Sequence, residues 1–362
     1  MATYEESGVN IELGDKCSSI AYQAAKATFP GRENMIGSPS VDDGGFSGVL
    51  DMGEFYLLQN DDGVGSKIKI AEQIGKYETL GYDLIAMVAD DAVCMGAETV
   101  SITNTLDVDK VNEEKIEALM HGLKNAALEH KIVIPGGEIA ELGNMVNGYL
   151  WNATAVAVVE KNKLIRGEKI ESGDKIIGLR SDGFRSNGFS LVRYILNEKF
   201  GENWASEKYN QEQTWGEVTL TPSRIYSSAI LDMHGRFNAE SKVNLKGVVH
   251  VTGGGIYGNL ERILKATGSS DEEIRTVLNK DFEVPITIAS KLVYSEIGNV
   301  FLTRLSSIIH PPRATDERTG MLALRASVIQ GINIGNGKIN LINFFEGYPT
   351  KTVILDVSAL SK

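Results

Sequence analysis

Phe55-Tyr-Leu-Leu-Gln-Asn-Asp-Asp-Gly-Val-Gly-Ser-Lys67 is the stretch on which the fold turns. Its first six residues read as a strand, the glycines as a tight turn, and Ile68–Gly75 as a helix. A strand that runs through glycines into a helix start offers backbone amides and the positive end of a helix dipole to an anion. The order Gly65-Ser66-Lys67 excludes a Walker A loop, and no third glycine follows at dinucleotide-fingerprint spacing. Asp61 and Asp62 beside such amides make chemical sense around a divalent cation, since magnesium takes one or two carboxylates plus substrate phosphates. A tight turn with solvated acids is the plainer alternative, and this segment alone leaves both open.

Outward from this point, strands alternate with helices. Thr99–Leu106, Ile132–Pro135, Trp151–Val159, Lys175–Leu179 and Val248–Val251 read as strands. Asp83–Met95, Glu113–His130, Phe189–Phe200 and Ser223–His234 read as helices, and residues 35–48 as a long loop. The pattern predicts an α/β or α+β protein. Glu160–Asp174, charged and holding Gly167 and Gly173, reads as a linker, which divides the chain into residues 1–168 and 169–362.

Asp83–Met95 carries the sharpest signal. At about 100° per residue, Leu84, Ile85, Val88, Ala92 and Met95 share an apolar stripe, and Asp91 lies about 20° beyond its edge. A carboxylate turned towards a core needs a partner or a metal, so Asp91 is the leading metal-ligand candidate, with a lysine or helix-start partner as the alternative. Asp83 and Asp90 fall together on another face, and Asp90→Asn is expected to cost far less turnover than Asp91→Asn. Pro135-Gly136-Gly137-Glu138 ends a short apolar strand, where two glycines admit a ligand close to the backbone and Glu138 follows at once.

Further along, Ser186-Asn187-Gly188 opens a helix with Arg185 just before it. Thr221-Pro222-Ser223-Arg224 opens another, and Val251-Thr252 leads through Gly253, Gly254 and Gly255 into a third. Three such starts can converge on one anionic ligand, although helices need caps in any case. No histidine pair has metal-ligand spacing. His250 alone lies beside a motif, and a lone strand histidine is more often structural.

Composition bounds the rest. With 362 residues, 42% hydrophobic and 23% charged, the chain suits one large domain or two average ones. Acids outnumber bases 48 to 36, which argues against a nucleic-acid partner but not against a phosphorylated small molecule. Two cysteines make no disulfide framework, no run of apolar residues is long enough for a membrane span, and the acidic start has no signal-like apolar region. These features predict a cytoplasmic protein. Thirty-eight glycines exceed the usual share of about 7%, consistent with glycine-rich ligand loops.

In order and spacing, these segments resemble the phosphoribosylformylglycinamidine cyclo-ligase (aminoimidazole ribonucleotide synthetase) family. The resemblance rests on Tyr4-Glu-Glu-Ser-Gly-Val-Asn-Ile11, Gly44-Gly45-Phe46, Asp62-Gly63-Val-Gly65-Ser-Lys67, Gly81-Tyr-Asp-Leu-Ile-Ala-Met87, Asp91, Gly96-Ala-Glu98 and Gly136-Gly-Glu138. It continues through Ser186-Asn-Gly-Phe-Ser-Leu-Val-Arg193, Leu220-Thr-Pro-Ser-Arg-Ile-Tyr226 and His250-Val-Thr-Gly-Gly-Gly255. It implies an α+β fold of two domains, an α/β sandwich in which the N-terminal sheets of two subunits pair across a homodimer. It further implies ATP-driven ring closure of formylglycinamidine ribonucleotide, with magnesium and room for a monovalent cation such as potassium. On this resemblance Asp62, Asp91 and Glu138 hold magnesium, and Lys67 and Lys26 neutralise ATP phosphates. Gly44, Gly45, Gly63, Gly65, Gly136 and Gly137 let the nucleotide approach the backbone. Arg185, Ser186, Asn187, Arg224, Thr252, Gly253, Gly254 and Gly255 meet the substrate or a phosphate. Another ATP-dependent phosphorylating enzyme of the same superfamily, or a nucleotide-binding paralogue without ring closure, is the alternative.

The chain also departs from the family. Asp90-Asp91 stands where Asn-Asp is usual, Arg185 where histidine is usual, and Asp42-Asp43 where glycines are common. Lys291–Lys362 match poorly.

Overall fold

The computed structural model describes residues 7–8, 10–40, 45–171, 174, 176–179, 181, 183–252, 255–274 and 327–333. The chain opens with helix α1 (Ile11–Lys26), capped by the Asn10 side chain, which accepts from the Leu13 N–H at 2.9 Å. Strands β1 (Ser38–Ser40), β2 (Gly48–Asp51) and β3 (Phe55–Gly63) follow. Then come α2 (Ile68–Ile74), α3 (Leu80–Cys94), β4 (Glu98–Val108), α4 (Glu113–Glu129), β5 (Val133–Glu141) and β6 (Tyr149–Glu160). The second half holds β7 (Ile176–Leu179), α5 (Phe189–Phe200), α6 (Trp215–Thr219), α7 (Ser227–His234), β8 (Asn244–His250), α8 (Gly255–Leu264) and β9 (Ser327–Asn333).

Six strands form one mixed sheet in the order β1-β2-β3-β6-β4-β5. Every pair is antiparallel except β4 and β5, which run parallel because α4 crosses between them. Burial alternates along β6, with Tyr149, Trp151, Ala153, Ala155, Ala157 and Val159 facing inward. The helices α3 and α4 cover that face.

β5 is longer than the expected Ile132–Pro135. It continues through Pro135-Gly136-Gly137 to Glu141, and its place at the sheet edge explains how it keeps a proline, since one side of an edge strand forms no ladder. Likewise the expected loop 35–48 contains β1 and the first residue of β2, while Gly44 lies outside the described residues.

α3 is apolar on nearly every side because it is enclosed on nearly every side, lying between the sheet and the second half. It meets α4 at two glycines. A Cβ on Gly122 would lie 1.8 Å from the carbonyl oxygen of Glu78, and one on Gly81 would lie 2.1 Å from the Leu123 nitrogen. The small sheet of the second half has the order β7-β9-β8, with β9 antiparallel to both neighbours. One apolar core runs from Ile68 and Leu84 through Phe184 and Phe189 to Trp204 and Trp215, so the halves share packing.

Candidate active site at the junction of the two halves

Three carboxylates of α3 divide the work of the junction. Asp83 and Asp90, two turns apart and fully buried, face the second half. Asp83 accepts from the Lys67 ammonium at 2.7 Å and from the backbone N–H of Ser223 at 3.0 Å. Asp90 accepts from the Arg185 guanidinium at 2.7 Å and from the N–H groups of Tyr226 and Ser227, both at 2.9 Å. The start of α7, which has no side-chain cap of its own, is thus capped by Asp90 from another element. Asp91, the next residue, turns towards β3 and β8.

β3 places Tyr56, Leu58, Asn60 and Asp62 on the helix-facing side of the sheet, in line with buried positions of β6. Asn60 donates to the Val88 carbonyl of α3 at 3.0 Å, which fixes strand to helix beside the site. Asp62 accepts from the N–H of Gly63 at 2.7 Å. Burial is the main cause that lifts its carboxyl to about 6; the Gly63 bond opposes this, and the charge of Asp91 adds to it. His250, at the end of β8 and 1% exposed, donates from Nδ1 to Asp91 at 2.6 Å. Its Nε2 has no hydrogen-bond partner among the described residues.

The result is a pair of neighbouring carboxylates, one desolvated and one oriented by a histidine from the other half. A raised carboxyl beside a second acid is an arrangement that a cation relieves. Among the described residues no three His, Cys, Asp or Glu side chains cluster as a protein-only metal cage. Two hard oxygen donors with the remaining positions left to water and phosphate are what magnesium prefers, so the residues present fit that ion.

Several expected site residues are elsewhere. Lys67 does not face a phosphate: it is fully buried, and its three N–H donors meet Asp83, the Thr221 carbonyl at 2.7 Å and the Phe184 carbonyl at 3.4 Å. Arg185, expected at the substrate, is 2% exposed, donates to Asp90 and to the Ala86 carbonyl at 3.0 Å, and lies 5.3 Å from the Tyr226 ring centroid. Both cations are ties between the halves. Asp90 occupies the amides of the α7 start, so that start is closed to a substrate anion.

Glu138 is exposed and pairs across the ladder with Thr105, on the solvent-facing side of the sheet, whereas Asp62 is on the helix side. Two strands separate them, about 14 Å at ordinary strand spacing, so one chain does not bring Glu138 and Asp62 to a single ion. Gly136 and Gly137 share that edge strand.

Other candidates do gather near the junction. Gly63 follows Asp62 directly, and Gly65, at φ +64°, sits against the Ser186 carbonyl in a conformation that favours glycine. Ser186 is buried with no partner for its Oγ among the described residues, and Asn187 donates to the Met87 sulfur at 3.6 Å. Arg224 is half-buried next to Ser223, and Thr252 is held against Asn259 at 3.4 Å. Gly45 lines a cavity of about 390 Å³ with Phe46, Met95, Arg166 and Arg262, whose guanidinium lies 4.8 Å from the Phe46 ring centroid. Lys26 ends α1, 5.4 Å from the ring of Tyr22 on the same helix. Gly253 and Gly254 lie outside the described residues, and Gly255 begins α8. His250 is the residue that sequence reasoning undervalued. Its signal was a polar side chain in the valine run Val248-Val-His-Val251, since a buried polar group needs a partner.

Comparison with known proteins identifies the family of both halves. The family model "AIR synthase related protein, N-terminal domain" matches residues 44–159, and its C-terminal counterpart matches 171–286. A model for an alpha/beta hydrolase of unknown function matches 249–356, a stretch without the Gly-x-Ser-x-Gly elbow that such chemistry uses. Among solved structures, the thiamine-monophosphate kinase of Stenotrophomonas maltophilia shares the fold, with a TM-score of 0.52 at 15% identity over 92% of each chain. AaThiL, solved with AMPPCP and TMP, gives 0.52 at 11% identity over 88% of this chain and 86% of its own. Curated relatives are much nearer in sequence. The phosphoribosylformylglycinamidine cyclo-ligase of Pyrococcus furiosus is 40% identical over 73% of this chain and 75% of its own length. That of Pyrococcus horikoshii is 41% identical over 73% and 76%, and that of Methanococcus maripaludis 36% over 77% and 76%. With matches of this extent in both halves, the chain belongs to the phosphoribosylformylglycinamidine cyclo-ligase family.

Proposed function

We propose that the protein closes formylglycinamidine ribonucleotide into aminoimidazole ribonucleotide at the expense of ATP, as a carbon–nitrogen ligase of purine synthesis. The observation that carries the reading is the Asp62–Asp91 pair, desolvated on one side and tied to His250 on the other. The formyl oxygen is a poor leaving group. Transfer of the γ-phosphoryl group to it, with release of ADP, makes an imidate phosphate ester. The ribosyl-bearing amidine nitrogen then bonds to the formyl carbon, the carbon–oxygen bond breaks, phosphate leaves and a proton is lost.

Magnesium, when bound, neutralises phosphate oxygens and lowers the cost of charge transfer between them. Asp62 and Asp91 would hold it. His250 keeps the Asp91 carboxylate aimed, while Gly63 and Gly65 allow the phosphate chain near the backbone. Lys26 and Gly44 would reach the nucleotide from the N-terminal segment. The start of α5, with Ser186 and Asn187, together with Thr252, Gly253, Gly254 and Gly255, would meet the ribonucleotide. Potassium remains a further ion to test. Residues 1–168 would form the nucleotide and pairing domain and 169–362 the substrate-side domain, in a cytoplasmic enzyme.

We infer also that two copies pair through the open sheet face. Val100 and Leu150 are 38% and 50% exposed there, beside half-buried Leu57, Val156 and Val158. A self-complementary apolar sheet face is what a twofold partner covers.

The test of the reaction is one assay with formylglycinamidine ribonucleotide, ATP and magnesium that scores both ADP and the aminoimidazole product. Equimolar formation of the two supports the reading. ADP without the product, obtained with other acceptors, would transfer the protein to another phosphorylating activity.

A further inference from the structure

Asn60 stands between the two elements that carry Asp62 and Asp91. It precedes Asp62 by two residues on β3, so both side chains leave the same face of the sheet. Its Nδ2 donates to the Val88 carbonyl at 3.0 Å, and Val88 precedes Asp91 by three residues on α3. One side chain therefore spans from the strand of Asp62 to the helical turn that carries Asp91. Apolar packing joins the same two elements, since Leu58, Ala92 and Met95 share one buried cluster. Such packing is non-directional, whereas a hydrogen bond fixes both a distance and an angle.

Both ends of the Asn60 amide are held. The Val88 carbonyl can only accept, so the amide turns its nitrogen to α3 and leaves its oxygen for another donor. The Ser47 hydroxyl supplies it, donating to Oδ1 at 3.2 Å. Ser47 follows Gly45-Phe46 and leads into β2. The same loop rests on α3: a Cβ on Gly45 would lie 3.2 Å from the terminal methyl of Met95, four residues beyond Asp91. Loop, strand and helix thus meet at one amide beside the two acids. Neither Ser47 nor Asn60 belongs to the segments that carry the family resemblance.

We propose that Asn60, held by Ser47, is a positioning residue for the metal: it fixes β3 against α3 so that Asp62 and Asp91 serve one ion. The inference rests on the reading of these two acids as the magnesium site. With Nδ2 and Oδ1 both engaged on the protein, Asn60 acts through the acids and is not itself a ligand. Groups that orient metal ligands tune affinity even though they never touch the ion.

Calorimetric titration of the full chain with magnesium chloride, without nucleotide and at a temperature where each variant is folded, tests this. Asn60→Leu keeps the size of the side chain and removes both bonds. Its magnesium affinity should fall about tenfold, the lower end of what loss of a group that orients a ligand costs. Ser47→Ala should weaken the ion less, because the bond to Val88 survives. Ser47→Thr keeps the hydroxyl and should bind magnesium as the wild type does. A merely structural role would lower the melting temperature and leave the affinity of the folded chain unmoved. Wild-type affinity in folded Asn60→Leu would therefore overturn the proposal while leaving the metal site standing. Absence of saturable magnesium binding, or binding that survives both Asp62→Asn and Asp91→Asn unchanged, would overturn the metal site and the role of Asn60 with it.

Discussion

The carboxylate of Asp90 and the guanidinium of Arg185 lie 2.7 Å apart with both side chains 1% exposed, and they are two positions at which the family resemblance leads us to expect asparagine and histidine. The two departures are therefore one bond. The bond bears on stability, since Asp90→Asn leaves a buried guanidinium without this countercharge. Breaking a buried pair from one side typically costs about 3–5 kcal/mol. Asparagine keeps an oxygen for the Tyr226 and Ser227 amides, so the loss is one of charge. The double variant Asp90→Asn/Arg185→His should recover most of the stability. Chemical denaturation of the two single variants and the double variant checks this, and additive losses would show that the pair is uncoupled.

Lys67 gives a second test of the same kind. Since its ammonium is enclosed by Asp83 and two carbonyls, Lys67→Met should act on stability, lowering the melting temperature by several degrees or more. The KM for ATP at a temperature where the variant is folded should change little. A large rise in that KM with an unchanged melting temperature would return Lys67 to the nucleotide.

Pairing through the sheet face predicts about twice 39.3 kDa by sedimentation at micromolar concentration. Leu150→Glu puts a charge at a 50% exposed position, where the isolated chain tolerates it and a sheet-to-sheet contact does not. The variant should sediment as a folded monomer. A wild-type monomer that turns over would end the proposal.

How far the site was legible depended on which residue was read. The Asp91 stripe was visible because helical periodicity sorts side chains by face, and the same arithmetic grouped Asp83 with Asp90. What it lacked was their partners, which come from residues 67, 185 and 223–227, far away in sequence. A glycine-rich strand-to-helix turn looked like a phosphate cradle, yet the lysine that ends it folds inward, because a buried Asp83 needs a cation more than the turn does. Glu138 was misplaced for a simpler reason. A strand broken off at Pro135 leaves the next acid free to point anywhere, whereas a strand that continues to Glu141 assigns Glu138 to the outer face. α1 and β9 are elements that the reading of the sequence did not propose.

Asp62 makes a pH prediction. Its folded carboxyl titrates at about 6, above its ordinary value of 3.8. Below 3.8 the carboxyl is protonated in both states and contributes nothing. Between 3.8 and about 6 the unfolded chain releases the proton and the folded one keeps it, so the metal-free protein loses stability as pH rises through that window. Asp62→Asn should flatten this loss. Magnesium needs the ionised carboxylate, so its affinity should climb by up to about tenfold per unit below pH 6 and level off above it. Calorimetric titrations at several pH values measure this directly, and an affinity flat from pH 5 to 7 would remove Asp62 from the metal site.

Asp91 carries the strongest claim about catalysis. Its helix position turns it from the core stripe towards Asp62, and the Nδ1–H of His250 holds it there from the other half. Asp91→Asn keeps the shape and an acceptor for His250 while removing the charge, so the fold should survive. Loss of one element of charge stabilisation around a transferring phosphoryl group commonly lowers kcat by about 10²–10³. The loss should shrink as magnesium is raised, because weaker binding of the ion is part of its cause. His250→Gln should give a smaller loss that also depends on magnesium, since it frees the carboxylate's orientation but leaves its charge. Turnover is to be measured across a magnesium titration, with thermal melting as the control for folding. If Asp91→Asn folds and turns over normally at low magnesium, the acid does not hold the ion, and the site must be sought on another face of the junction.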